Sequence, residues 1–186
     1  MMDAHIKNLR NPHITLIENC EYKQQRLVSF RAGLSHVKTS FLQCDVDYIF
    51  TKRVATIVKN NLTGFSIFCV RGEEITDSDV MKVKVDAEGK VAEMSKQLVD
   101  YEYVYTGMFF CDDTFLPLMR QAVAESLERD GPERATVETA FNIIARTHHC
   151  IDVMDIGGHD WTEIDTPEDL ARAEQFVRTY HKDLLV

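Results

Sequence analysis

Phe65-Ser66-Ile67-Phe68-Cys69-Val70 is apolar at every position except Ser66. A run this short and uniform, entered through Gly64, suits a strand covered on both faces, as in α/β sheets. Downstream the texture changes. Val80-Met81-Lys82-Val83-Lys84-Val85 alternates, turns at Asp86-Ala87-Glu88-Gly89 and returns as Lys90-Val91-Ala92-Glu93-Met94, a hairpin with one wet face. Residues 104–110 read as another buried strand. Leu116, Met119, Val123 and Leu127 then mark an amphipathic helix stopped by Asp130-Gly131-Pro132. Residues 136–147 give a further helix and 151–156 a last strand. Upstream, Ile14-Thr15-Leu16-Ile17 reads as a short strand, and Leu27, Phe30 and Leu34 mark a helix over 25–35. Residues 41–46 follow as a strand, then a helix with Val54, Ile57 and Val58 on one face. The closing helix is the best marked. Thr166 caps it, Pro167 fits its first turn, Glu168 and Asp169 oppose its dipole, and Leu170, Ala173, Val177 and Tyr180 form a packing stripe. This alternation predicts one α/β domain over residues 1–186: a three-layer sandwich with a mostly parallel sheet and a small antiparallel hairpin insertion.

Composition narrows the function. Twenty-one Lys+Arg against 30 Asp+Glu give a net charge of −9, which argues against a nucleic-acid footprint, since that needs a basic face. A nucleotide ligand stays possible, because a bound divalent cation supplies positive charge locally. No apolar run has the length of a membrane span. The five cysteines form no CxxC pair, and the seven histidines have no metal-binding spacing. Both facts favour a reducing cytoplasm and disfavour zinc.

Two acidic stretches can carry chemistry. The first is Phe41-Leu42-Gln43-Cys44-Asp45-Val46-Asp47, where carboxylates stand at a strand end that opens into the ligand crevice of α/β sheets. Neighbours two apart on a strand share a face, yet a shared ion also requires the strand to end there. Asp47 leads and Asp45 supports; the bland alternative is a pair of loop acids capping the next helix. The second is His159-Asp160-Trp161-Thr162-Glu163-Ile164-Asp165-Thr166-Pro167, which sets Glu163 and Asp165 before a helix N-terminus. Carboxylates, amide donors and a metal can gather around a phosphate there. Trp161 is otherwise a core residue and Asp165 a cap.

WTEIDTPEDLARAEQF resembles the C-terminal motif of GT-A-fold nucleotidyltransferases, the sugar-nucleotide and phospho-alcohol cytidylyltransferases. FLQCDVDYIF is similar to the D-x-D strand end of bacterial choline-phosphate and inositol-phosphate cytidylyltransferases, and DSDVMKVKVDAEGKVAEMSKQL to their hairpin. Order and spacing agree from about residue 13 to residue 178. The resemblance implies transfer of a nucleotidyl group, cytidylyl for preference, from an NTP such as CTP to a phosphorylated small-molecule acceptor, with release of pyrophosphate. It implies Asp47, Asp165 and, in support, Asp45 as ligands of Mg²⁺, with Lys96 steadying developing charge. Lys82, Glu163, Tyr103, Tyr105 and Trp161 fall on the substrate side. Tyr101, Tyr103 and Tyr105 alternate, so one face carries three rings, which either cage a cation or pave the sheet.

The sequence also departs from that family. Its Gly-rich loop of the G-x-G-x-x-S/T-R type has no counterpart among these eight glycines, and Gln24, Gln25 and Arg26 replace an Asn-rich stretch in which Asn19, Tyr22 and Ser29 still fit. On the family's plan the nucleotide cradle is lacking, so the expected chain is weak or inactive alone. A regulatory subunit of the same fold, or a GT-A glycosyltransferase, remain alternatives. A missing edge unit also predicts a homodimer that covers residues 1–20 and the strand at 65–70.

Overall fold

The apolar run forms β3 (Phe65–Arg71), buried from Phe65 to Val70. Successive side chains of a strand point to opposite faces. Phe65, Ile67 and Cys69 therefore enter one core, and Phe68 and Val70 another. The computed structural model describes residues 13–24, 26–74, 79–158 and 160–184. In chain order the remaining elements are α1 (Arg26–Leu34), β1 (Phe41–Gln43), β2 (Tyr48–Phe50), α2 (Lys52–Asn60), β4 (Lys82–Val85), β5 (Val91–Ser95), β6 (Tyr103–Cys111), α3 (Leu116–Asp130), α4 (Val137–His148), β7 (Ile151–Asp155), β8 (Trp161–Glu163) and α5 (Pro167–Tyr180).

The main sheet runs β5-β4-β6-β3-β7, with β1 beside the C-terminal half of β6. Side chains from α1, α3 and α4 cover one face; α2 and the small β2–β8 sheet cover the other. The α/β sandwich holds, but the sheet is mixed rather than mostly parallel. Among the described strands only β3 and β7 pair in parallel, whereas β6 is antiparallel to β1, β3 and β4. Hydrophobic pattern marks a strand without giving its direction, and β6 lies between two strands, β1 and β3, that run the same way.

Three other expectations change. Residues 14–17 make no strand and lie exposed, Leu16 by 46%, because no described strand offers them a ladder. On α5 only Ala173 of the expected stripe is buried; Leu170 and Val177 face outward. Finally, β3 is interior to the sheet, so it cannot form the interface expected at 65–70.

Two irregularities shape the cleft. Between Phe68↔Met108 and Cys69↔Tyr105, β6 carries two extra residues, Thr106 and Gly107. Thr106 donates to the Phe68 carbonyl at 2.8 Å, and Gly107 adopts φ 75°, where a side chain is strained. At the far edge, β5 is bonded to α4: the Asn142 amide contacts the Met94 backbone twice, at 2.8 Å each. Lys90, just before β5, also bridges Asp152 of β7, so the two ends of the sheet order meet.

Candidate active site

β1 stops at Gln43, and residues 44–47 turn into β2. This early stop lets Asp45 and Asp47, which would share a face of a continuing strand, reach different neighbours. β2 then pairs with β8 in the register Tyr48↔Glu163, Ile49↔Thr162 and Phe50↔Trp161. The ladder extends by one more bond, from the Ile164 N–H to the Asp47 carbonyl at 3.0 Å. Zipping the two acidic stretches together in this way brings Asp47, Glu163 and Asp165 to one point: a carboxylate oxygen from each lies within 4.8 Å of the others. Asp47 Oδ1 is buried and, among the described residues, has no hydrogen-bond partner.

Asp165 stands immediately before α5. Thr166 and Asp169 form a reciprocal capping box there, and Asp169 Oδ2 also accepts from the Asp165 N–H at 3.2 Å. The cap thus holds the backbone of Asp165 and leaves its carboxylate for the cluster. Burial pushes the Glu163 carboxyl above its usual range; Asp165, Asp47 and Asp45 add to this, against a hydrogen bond from Tyr48. Asp45 is raised as well, chiefly by burial, with Asp47 adding and Arg26 opposing. The Tyr48 phenol goes up through burial and the Glu163 charge. A site that concentrates negative charge and leaves a buried carboxylate oxygen unpartnered suits a hard divalent cation. Asp47, Glu163 and Asp165 would hold it.

The other expected residues divide. Lys96, Tyr105 and Trp161 line the same cleft of about 570 Å³ as Asp45, Glu163 and Asp165. Lys96 pairs with Asp79 at 2.9 Å. Trp161 leans on Tyr48, and its buried Nε1 lacks a partner among the described residues. Asp45 is not the third member of the acidic point; Glu163 is. Asp45 instead accepts from Gln43 at 2.9 Å and faces Arg26 at 3.6 Å. Lys82 and Tyr103 do not line the cleft: Lys82 sits over the Tyr101 ring at 5.2 Å, and Tyr103 beneath Arg71 at 4.6 Å. Nor do the three tyrosines share a face. Tyr101 precedes β6 and packs with the second core, while Tyr103 and Tyr105 pack with the first.

Sequence reading missed Arg26, Tyr48, Gly107, Thr136 and Glu138, which also line this cleft. Tyr48 had a signal, since it adjoins the acidic turn. Glu138 had none beyond a place in the first turn of a helix. A smaller hollow of about 300 Å³ continues the cleft past Gly107 towards Ser29, Phe30 and Gln43.

No family model matches the chain. Among curated proteins it is 25% identical over 166 residues to the bifunctional IPC transferase and DIPP synthase of Rubrobacter xylanophilus, covering 88% of this chain and 36% of that protein. It is 23% identical over 163 residues to the protein of the same name from Aquifex aeolicus, covering 87% and 35%. The chain therefore spans about a third of the length of these relatives. In fold it is similar to the inositol-1-phosphate CTP transferase from T. maritima, with a TM-score of 0.75 and 19% identity over 99% of this chain and 74% of that one. The chain has the fold of that CTP transferase. The CTP:phosphocholine cytidylyltransferase from Streptococcus pneumoniae has the same fold, at TM-score 0.70 and 16% identity over 95% and 75% of the two chains. The resemblance implies Asp47 and Asp165 as partners in one site, and in this fold their carboxylates lie together with that of Glu163.

Proposed function

We propose that this chain is the metal-binding and acceptor-side part of a cytidylyltransferase that transfers the cytidylyl group of CTP to a phosphorylated alcohol, of the inositol phosphate class, releasing pyrophosphate. The observation that carries this reading is the convergence of Asp47, Glu163 and Asp165 within 4.8 Å, from two stretches far apart in the chain. The cation is Mg²⁺, held by these three. When bound, it neutralises phosphate charge and aligns the two phosphates for in-line displacement. Asp47 and Asp165 supply most of the negative field. Glu163, fixed by Tyr48, sets the third corner. Lys96, held at the cleft wall beside Asp79, balances charge that grows on the phosphates during transfer. Tyr105 and Trp161 wall the cleft. Tyr103 and Lys82 support the sheet and contact no substrate.

The protein works in the cytoplasm, in keeping with five free cysteines. It does so as a homodimer whose interface covers the exposed side chains of Ile14, Leu16 and Leu42. Calorimetric titration of the chain with Mg²⁺, then with CTP and inositol phosphate, tests the central reading. Mg²⁺-dependent binding of CTP that is lost in Asp165→Asn is the expected result. Nucleotide binding indifferent to both Mg²⁺ and Asp165 would overturn it.

A further inference from the structure

The α4–β5 contact has an unusual chemistry for helix-on-sheet packing. Asn142 Oδ1 accepts from the Met94 N–H and Asn142 Nδ2 donates to the Met94 carbonyl, both at 2.8 Å. Among the described strands β5 pairs only with β4, so the amide stands where a further strand's peptide would stand. One turn along α4, Arg146 reaches Glu93 of β5 at 3.7 Å. One turn back, Glu138 and Thr136 line the cleft, and Thr136 is locked in a capping box with Thr139. β5 ends at Ser95, whose hydroxyl accepts from the Gln97 N–H at 3.1 Å, and Lys96 projects from this tight turn into the cleft wall.

We propose that Asn142 is a positioning residue: by clasping both backbone groups of Met94 it fixes β5 along its own axis, and so fixes Lys96 relative to the acidic point and to Glu138. Apolar packing resists separation of a helix and a strand but permits sliding along the strand. Two directional bonds to one peptide unit forbid it. The distinction matters here because a misplacement of about 1 Å at a reacting group costs on the order of 10²-fold in rate. The inference rests on the reading that Lys96 serves the transfer, while the mechanical link from Asn142 to Lys96 can be tested without it.

The test uses the full chain labelled with ¹³C at the lysine side chains. Asn142→Leu keeps the volume and removes both bonds; Asn142→Asp keeps only the acceptor. Ile144→Val, in the same helix and buried in the core, is the control for general loosening. Asn142→Leu is expected to speed amide exchange at Met94 roughly tenfold and to shift or broaden the Lys96 methylene signal. Asn142→Asp should give a smaller change of the same kind, and Ile144→Val should leave the Lys96 signal in place. Should Asn142→Leu fail to fold, Asn142→Asp decides alone. A Lys96 signal unmoved while Met94 exchanges faster would overturn the proposal, as would an equal shift in Ile144→Val. Adding Mg²⁺, CTP and inositol phosphate separates the two claims: a wild-type Lys96 signal that ignores them sinks the functional reading and leaves the link between Asn142 and Lys96 standing.

Discussion

Asp47 carries a charge in a crowded place and leaves one buried oxygen without a partner. Removing that charge has opposite consequences with and without metal. In EDTA, Asp47→Asn is expected to be more stable than wild type by about 1 kcal/mol, through relief of like-charge repulsion. In Mg²⁺ it should bind the ion weaker by on the order of 100-fold. Urea denaturation in the two conditions reads both effects; a variant less stable in both would show that Asp47 is merely structural. Acidity offers a second test. Glu163 and Asp45 both have carboxyl pKa values raised in the fold, chiefly by burial. A raised carboxyl costs stability above its folded pKa, and that cost disappears as pH falls below the unfolded value. Without metal, the melting temperature is thus expected to rise as pH falls through the raised folded values of these two groups. Asp112, Asp130 and Asp169 have lowered values and lose their contribution only at more acid pH, so they do not mask the trend. With saturating Mg²⁺ the sign should reverse, because the ion needs the deprotonated carboxylates. Calorimetric scans at matched ionic strength check it.

Among the elements, the bulged strand β6 is the most exposed to a single change. A Cβ on Gly107 would lie 2.8 Å from Asp45 Oδ2 and 3.0 Å from the Tyr48 hydroxyl, and φ there is 75°. Gly107→Ala is expected to cost about 1–2 kcal/mol in strain and to displace Asp45 and Tyr48. Denaturation combined with Mg²⁺ titration should show both losses, and a variant as stable as wild type would refute the close approach. Such features explain what could be read from the sequence. The cap at Thr166 and the apolar run of β3 were legible because their signals are local: a hydroxyl before proline and acids, or six residues with one exception. The convergence of Asp47 and Asp165 was legible only through the resemblance of their motifs. β2 and β8 were not legible, being three residues each and paired across most of the chain. Nor was Glu163 as the third acid, since Asp45 lay nearer in sequence. The direction of β6 was hidden as well, because alternation looks the same in either sense.

For the molecule as a whole, the 186 residues provide acids, Lys96 and an acceptor-side cleft but no Gly-rich loop of amide donors. Loss of a single such donor elsewhere costs about 10²–10³ in rate, and such groups act as a unit. These residues assayed alone are expected to release pyrophosphate from CTP negligibly. Turnover near that of ordinary enzymes, abolished by Asp47→Ala, would show the active site to be complete. The bond from Ile164 to Asp47, and the ladder between β2 and β8 beside it, also bear on time. Closing so long a loop is entropically unfavourable until the intervening sheet is in place, and the ribosome delivers β8 long after β2. The cation site is therefore a clock that starts only when folding is nearly over. Terbium, standing in for Mg²⁺ and excited through Trp161, should remain dark during early refolding and light up with the slowest phase.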